Sequence, residues 1–270
     1  MRETLWLRLR ASRLLRRLYA VRLFAAPMSG LSHLLVPAHG KRKLRVRSGP
    51  GKGLLFELNP RWETGMWEGD HELVAQQVLQ RELKPGSIFY DVGANFGFYS
   101  LLAARAGAQV FAFEPDVQNA ESLERHALLN SLEAKIEIVR AAVFSASGSI
   151  LLEPADSERG HGNARVGAAG DPSRATIKVP CTTLDNFARE HAVPEVVKID
   201  VEGAESEVLK GAEELFSNSR PHVICEAHDP LNAAFVEAWL KTRDYEFRWL
   251  DASEEFPRQL LAVPGGEAAA

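Results

Sequence analysis

The chain has 270 residues, of which 46% are apolar and 25% charged, a composition typical of an ordinary globular protein. This length fits one α/β domain with an extension better than two full domains. The net charge of −4 is unevenly distributed, because residues 1–47 hold twelve lysines and arginines against one acid. The remainder is therefore strongly acidic, which argues against a nucleic-acid-binding domain. Two cysteines, Cys181 and Cys225, exclude a zinc ribbon or disulfide framework and predict a reducing, cytoplasmic compartment.

Residues 1–47 are predicted to form a basic extension. Within residues 1–25, leucine, alanine and valine recur on one helical face, and arginines occupy the other. The arginines interrupt the apolar run too often for a membrane span or a secretory signal. Two interpretations stay open: the basic helix docks as a peripheral element on an anionic inner membrane face, or it packs on its own acidic domain. Residues 41–47 alternate basic and apolar side chains, which predicts an edge strand.

Residues 48–263 are predicted to form the main domain, and residues 264–270 a disordered tail. A loop over 59–72 precedes a regular alternation of elements. The predicted strands cover 87–92, 109–114, 135–143, 195–201, 221–226, 245–250 and 259–263. The predicted helices cover 71–83, 97–106, 116–130, 183–190, 204–216 and 231–242. An apparent hairpin pairs 148–153 with 176–180. Alternating strands and helices predict an α/β fold with a mostly parallel sheet covered by helices on both faces.

Ligands of such sheets bind beyond the carboxyl ends of the strands, so the residues at those ends are the candidates for a binding site. The first strand ends in Asp91, and Gly93 and Gly97 then allow a tight turn that a ligand can approach closely. Glu114 ends the second strand, where an acid typically holds ribose hydroxyls. Asn95 stands where the GxGxxG motif of nicotinamide enzymes has its middle glycine. The turn and Glu114 together predict a nucleoside-containing cofactor.

Charged residues also follow the strands 195–201 and 221–226. Lys198 and Asp200 share one side of the first strand, and Glu226 and His228 follow the second. Ionised side chains beside such apolar strands are costly unless they are paired or used. We therefore predict a role for at least one of Asp200, Glu226 and His228. The structural alternatives are a Lys198–Asp200 ion pair and a His228 that bonds only to its neighbour Asp229.

Over about residues 57–250 the chain resembles FkbM-type methyltransferases. The resemblance is carried by DVGANFGFYS, FAFEPD, the helix start at Thr183, VKIDVEGAESEVLKGA and ICEAH, which occur in the family's order. It implies a Rossmann-like methyltransferase fold and S-adenosylmethionine as cofactor. It further implies that the methionine part is lined by Asp91, Gly93, Asn95 and Gly97. By the same resemblance, Glu114 would hold the ribose, Ala141 and Ala142 would flank the adenine, and Glu72 would lie near the cofactor.

Methyl transfer from a sulfonium is an in-line displacement, so the enzyme mainly aligns the acceptor. A hydroxyl acceptor also needs a general base or a metal. We predict an O-methyltransferase for a hydroxyl of a sugar, glycan, glycolipid or natural product. His228 or Asp200 would be the base, Glu226 would position the acceptor and Lys198 would orient Asp200. A divalent ion on Asp200, Glu226 and His228 is the alternative, but their spacing is not a metal signature, so no metal site is predicted.

Two further functions fit parts of the sequence. A nicotinamide-dependent oxidoreductase would share the turn and Glu114, although Asn95 and the lack of a second nucleotide-binding half argue against it. A non-catalytic membrane-surface module would use the basic extension on a methyltransferase scaffold. The glycine-rich segment 154–175 is predicted to be a substrate lid, with His161 and Asn163 as acceptor contacts, or else a plain surface loop.

Overall fold

The computed structural model describes residues 40–60, 62–154, 165–166 and 175–266. The predicted basic helix at 1–25 lies outside the described residues. So do most of the predicted lid, with His161 and Asn163, and the last four residues of the tail. In the part of the chain that is described, no helix combines the length and apolar character that crossing a membrane requires.

Thirteen strands and eight α-helices are described. The strands are β1 (Arg42–Arg45), β2 (Leu55–Leu58), β3 (Ile88–Val92), β4 (Gln109–Phe113), β5 (Ile136–Val139), β6 (Ala142–Val143), β7 (Gly148–Glu153), β8 (Arg165–Val166), β9 (Ile177–Thr182), β10 (Val196–Ile199), β11 (His222–Ala227), β12 (Tyr245–Trp249) and β13 (Arg258–Pro264). The helices are α1 (Thr64–Glu68), α2 (Leu73–Glu82), α3 (Phe98–Ala106), α4 (Val117–Leu129), α5 (Leu184–Glu190), α6 (Glu205–Lys210), α7 (Glu213–Asn218) and α8 (Pro230–Lys241).

The main sheet has seven strands in the order β12-β13-β11-β10-β3-β4-β5. Every neighbouring pair from β11 to β5 is parallel, and β13 runs antiparallel to both β11 and β12. The predicted fold class is confirmed. The chain order reverses on either side of β3, which has β4 as one neighbour and β10 as the other. Such a switch point opens a crevice at the carboxyl ends of these strands.

Apolar side chains cover both faces of the sheet, which explains the apolar runs of the central strands. Successive residues of β3 point to opposite faces, so Phe89 joins one core cluster and Tyr90 the other. Phe56 and Leu101 belong to the first cluster, and Phe216 to the second. Because both sides of β3 are packed, the turn that follows it is held on a rigid base.

Three predicted elements differ from the structure. The predicted strand 135–143 is wrong, because the Ala141 amide donates to the Val139 carbonyl at 2.8 Å and the chain turns there. As a result β5 ends the main sheet, whereas β6 joins a second sheet of order β6-β9-β7-β8, in which the predicted hairpin is confirmed. The predicted helix 204–216 is broken into α6 and α7 near Gly211. The predicted loop 59–72 contains α1.

The predicted edge strand within 41–47 is confirmed as β1, which pairs antiparallel with β2. Val46 follows it and is buried among the core residues. The Asn130 side chain, which follows α4, exchanges two hydrogen bonds with the backbone of Leu55 in β2. The β1–β2 pair is therefore attached to the same folded unit as the main sheet.

Candidate active site

A cavity of about 380 Å³ opens at the carboxyl ends of β3, β4, β10 and β11. Most of the predicted site residues line it, namely Glu72, Asp91, Gly93, Asn95, Glu114, Ala142, Lys198, Asp200 and Glu226. Gly97, Ala141 and His228 are not among the described residues of its wall. Its volume lies within the range of small-molecule sites, which usually combine apolar walls with a few convergent polar groups.

Close packing and a positive φ favour glycine at two positions of the turn after β3. Gly93 has a φ of 83°, and a Cβ there would lie 1.8 Å from the Asp200 carbonyl oxygen. The Gly93 and Ala94 amides both donate to the Phe113 carbonyl of β4. Gly97 has a φ of 91°, and a Cβ there would meet Leu123 of α4 at 2.5 Å. Gly93 thus joins β3 closely to the strands on both sides, while the glycine at position 97 is explained by helix packing.

Asp91 is a buried carboxylate with one oxygen left to a ligand. Its Oδ2 accepts a 2.5 Å hydrogen bond from the Ser100 hydroxyl of α3. Its Oδ1 is buried and has no hydrogen-bond partner within the described residues. Burial raises the pKa of Asp91, and the opposing charge of Lys198 limits the rise. An orphaned buried acceptor in a cavity wall fits a donor of the cofactor, such as the amino group of S-adenosylmethionine.

Glu114 is held rigidly by two backbone amides. Its Oε2 accepts from the Asn95 amide at 2.7 Å, and its Oε1 accepts from the Asp116 amide at 2.8 Å. Burial raises the pKa of Glu114 to about 8, against the lowering effect of these two donors. Each carboxylate oxygen has a second lone pair, so Glu114 can also accept hydrogen bonds from ribose hydroxyls.

Glu72 also lines the cavity and bonds to two neighbouring side chains. It has a left-handed φ of 46°, and its two oxygens meet the Tyr99 hydroxyl at 2.6 Å and His71 Nε2 at 2.8 Å. Burial favours a higher pKa for Glu72, but its bond to His71, the charge of Lys198 and the Tyr99 hydroxyl lower that pKa to about 2. Glu72 is therefore an ionised residue that shapes the cavity, with both oxygens already engaged.

Lys198 is buried among the acidic residues of the cavity. Its Nζ donates to Asp200 Oδ2 at 2.7 Å and lies 4.6 Å from the centre of the Tyr99 ring. Burial disfavours its charge, yet the carboxylates of Asp200 and Asp91 raise the pKa of Lys198 above its usual value. The lysine stays protonated and fixes Asp200, so the ion pair predicted from the sequence is present.

His228 is surrounded by carboxylates. Its Nδ1 lies 2.8 Å from Glu205 Oε1, and its Nε2 lies 3.5 Å from Glu202 Oε2. Burial opposes the charge of the ring, but Glu202, Glu205 and Asp200 raise the pKa of His228 to about 10. The predicted alternative, a bond between His228 and Asp229, is wrong, because the Asp229 carboxylate accepts from the first amides of α8.

Glu226 completes the acceptor side of the cavity. Its Oε2 accepts from Gln259 Nε2 at 2.6 Å, across the β11–β13 pairing in which the two residues are in register. Burial and the negative charge of Asp200 and Glu72 raise the pKa of Glu226 to about 7. Each of Asp200, Glu226 and His228 offers one ligand atom, and these atoms lie within 4.8 Å of one another. The fold brings together three residues whose spacing in the sequence did not indicate a metal site.

Several residues that bond to the predicted site residues were not themselves predicted from the sequence, His71 and four others among them. Ser100 and Tyr99 bond to Asp91 and Glu72, and Glu205 and Gln259 bond to His228 and Glu226. Glu205 is fully buried and lies within the distinctive VKIDVEGAE segment. Its position shortly after a buried strand could have indicated a role in the site. Gln259 becomes visible only through strand register.

The strand order, the acidic ends of β3 and β4 and the cavity between them define a Rossmann-like methyltransferase. In agreement, the crystal structure of the methyltransferase FkbM from Methylobacillus flagellatus superposes with a TM-score of 0.51 at 17% identity, covering 67% of this chain and 44% of that one. The family model for the methyltransferase FkbM domain matches residues 91–248, which is more than half of the chain. The chain therefore belongs to the FkbM methyltransferase family, as its motifs predicted, and it is an S-adenosylmethionine-dependent methyltransferase. The nicotinamide alternative is wrong.

Curated relatives cover most of the same region. The hexuronic acid methyltransferase AglP of Haloferax volcanii is 29% identical over 202 residues, which is 72% of this chain and 78% of AglP. The 2-O-methyltransferase NoeI of Sinorhizobium fredii is 26% identical and covers 63% of this chain and 76% of NoeI. The 31-O-demethyl-FK506 methyltransferase FkbM of Streptomyces tacrolimicus is 26% identical and covers 55% of this chain and 68% of that protein.

Proposed function

We propose that the protein methylates a hydroxyl group of a sugar, a glycan or glycolipid, or a natural product. One observation carries the proposal: the carboxylates suited to the cofactor, Asp91 and Glu114, line the same cavity as Asp200 and Glu226. Two relatives named for O-methyl transfer and one named for a hexuronic acid support a hydroxyl on a sugar or natural product as the acceptor.

S-adenosylmethionine supplies an activated methyl group with its own leaving group, so the protein has to bind and orient the two partners. On the cofactor side, Asp91 Oδ1 would accept from the amino group, and Glu114 would accept from the ribose hydroxyls. Gly93 and Asn95 would border the methionine part, and Ala142 would pack beside the adenine. Gly97 and Ala141 are not among the described residues of the cavity wall, so we assign them no direct contact with the cofactor.

The acceptor side needs help with a proton, because a protonated hydroxyl is a poor nucleophile. We propose that Asp200 assists loss of that proton, that His228, whose Nε2 lies 3.7 Å from Asp200 Oδ1, orients Asp200, and that Glu226 positions the acceptor. Lys198 holds Asp200 in place through its 2.7 Å bond. Trp62 lines the cavity with 44% of its surface exposed, and its ring face suits packing against the apolar face of a sugar.

Two aspartate variants separate cofactor binding from transfer. Asp91→Ala should abolish measurable binding of S-adenosylhomocysteine in isothermal titration, since it removes the unpartnered buried acceptor. Asp200→Asn should keep that binding but lower the turnover of methyl transfer by about 100-fold or more, the usual effect of losing an acid–base group. Turnover would be measured by mass spectrometry with glycosides and hexuronic acids as acceptors.

Asp244→Asn is the matched control, because the Asp244 side chain is 86% exposed. Transfer to amines in place of hydroxyls, or full turnover by Asp200→Asn, would contradict the proposal.

We also propose peripheral contact between residues 1–25 and an anionic membrane, supported by their charge and helical spacing. Undiminished binding to anionic vesicles after deletion of these residues would exclude it.

A further inference from the structure

Three side chains at the ends of β10 and β11 direct one ligand atom each toward a common point. His228 Nε2 lies 3.7 Å from Asp200 Oδ1 and 3.8 Å from Glu226 Oε1. Neither of these oxygens accepts another hydrogen bond within the described part of the chain. The separations are too long for hydrogen bonds, whose heavy atoms approach to about 3 Å. They are close to the spacing of about 3.0–3.6 Å between neighbouring ligands that share an ion at about 2.1 Å.

The second atom of each side chain is already held by a buried partner. Lys198 bonds to Asp200 Oδ2 at 2.7 Å, and Gln259 bonds to Glu226 Oε2 at 2.6 Å. Glu205 bonds to His228 Nδ1 at 2.8 Å. The exposed fractions of Lys198, Gln259 and Glu205 are 3%, 6% and 0%. Each partner fixes the orientation of its ligand, so the free atoms turn inward together, as outer partners do around metal ligands in proteins.

Glu205 is the buried partner that orients the His228 ring. It is fully buried, and besides His228 it accepts from the Gly203 amide at 2.9 Å. Its Oε2 has no hydrogen-bond partner in the described chain. A ligating histidine usually bonds its other ring nitrogen to such a carboxylate, which fixes the ring, and here Nε2 is left directed at Asp200 and Glu226.

We propose that Asp200, Glu226 and His228 bind one divalent cation of the Mg²⁺ or Mn²⁺ class, and that Glu205 is the positioning residue for His228. Two carboxylates and an imidazole suit Mn²⁺ in particular, since carboxylate oxygens favour Mg²⁺ and Mn²⁺ and imidazole favours transition metals. The cation would lower the pKa of a hydroxyl that joins its ligands, which is the assistance that a sugar acceptor needs. That role rests on the proposed function, whereas the cation site itself does not.

The test is a titration of the full chain with Mn²⁺ after removal of metals, with free Mn²⁺ followed by electron paramagnetic resonance. The wild-type chain should bind one Mn²⁺, and Mg²⁺ should compete for the site. Glu226→Gln and His228→Gln, which keep the size of the side chains, should each weaken binding by at least about 100-fold. Glu205→Gln should weaken it by about 10- to 100-fold, the range seen when an outer partner is changed.

Glu121→Gln is the control, because this glutamate is half-exposed on α4, where it pairs with Arg125. The Mn²⁺ affinity of this variant should equal that of the wild type. Absence of saturable Mn²⁺ binding by the wild-type chain would overturn the proposal without reference to any variant. Equal affinity in Glu226→Gln, His228→Gln and the wild type would overturn it as well. Titration of the same samples with S-adenosylhomocysteine separates the two proposals, because loss of cofactor binding with Mn²⁺ binding retained contradicts only the proposed function.

Discussion

The acidic residues of the cavity differ because their surroundings differ. Asp91 has one oxygen bonded to Ser100 and one orphaned, whereas both oxygens of Glu114 meet backbone amides. Burial raises the pKa of both carboxylates. Glu72 instead meets His71 and Tyr99, and its pKa is lowered to about 2. The protonation of a carboxylate in this cavity therefore depends on whether neighbouring charges and hydrogen bonds outweigh its burial, as His71 and Lys198 help to do at Glu72, and substitutions at the three positions should have different effects.

Glu114→Gln tests the role of the two backbone donors. A glutamine can accept with one oxygen only, so its amide nitrogen would face the amide of Asn95 or Asp116. Leaving a buried donor unsatisfied costs about 1–3 kcal/mol, and we expect the free energy of unfolding in urea to fall by that amount. The affinity for S-adenosylhomocysteine should fall at least about tenfold, as one hydrogen bond of about 1.4 kcal/mol predicts. Glu137→Gln on the exposed side of β5 should change neither quantity. Unchanged affinity in Glu114→Gln would show that Glu114 does not hold the ribose.

Most of the acidic residues that line the cavity could be identified from the sequence. Asp91, Glu114, Asp200 and Glu226 follow apolar strands, whose carboxyl ends meet at one edge of a parallel sheet. The sequence could not identify Gln259, which reaches Glu226 from an antiparallel strand 33 residues away. The pairing of β11 with β13 is set by packing of the whole sheet and has no local signal. Asp229 is adjacent to His228 in sequence, but its carboxylate caps the start of α8.

At the scale of elements, alternation of apolar strands and helices was sufficient to predict the sheet. The breaks within two predicted elements depend on contacts between distant segments. A Cβ at Gly211 would lie 2.2 Å from the Phe144 carbonyl, so the chain between α6 and α7 runs against the backbone that follows β6. Helical and strand propensities describe neighbouring residues only, and such an approach of two backbones is outside their scope.

The same kind of approach predicts the effect of Gly93→Ala. Its Cβ would overlap the Asp200 carbonyl, so β3 and β10 would have to separate at the edge of the cavity. Gly86→Ala is the matched control, because Gly86 also has a positive φ, of 89°, but a Cβ there meets nothing within 4 Å. We expect the control to lose about 1–2 kcal/mol from its backbone conformation alone. Gly93→Ala should lose more than about 4 kcal/mol in urea unfolding, a loss typical of severe strain. Similar losses in the two variants would show that the turn yields without cost.

At the scale of the whole molecule, the position of the domain boundary determines what the basic extension can do. The predicted boundary lies after residue 47, but β1 and Val46 are paired and packed with the remainder of the domain. Arg47 donates its amide to the Trp67 carbonyl at 3.0 Å, and its guanidinium lies 5.6 Å from the Trp67 ring. We therefore propose that the folded unit begins at about residue 40 and that the separate extension ends before it.

Two truncations test this boundary. A chain that starts at residue 40 should have the unfolding free energy of the full chain, whereas a chain that starts at residue 48 should lose about 2–5 kcal/mol. The loss has two sources. Removing Val46 forfeits about 1.5–3 kcal/mol of burial, and removing β1 exposes the β2 edge and the core contact of Leu44. Urea unfolding and S-adenosylhomocysteine binding should be measured on both chains. If the chain that starts at residue 48 is as stable as the chain that starts at residue 40, residues 40–47 belong to the extension. If the chain that starts at residue 40 is less stable than the full chain, residues 1–39 contribute to the stability of the domain, and a helix packed on its acidic surface becomes the favoured interpretation.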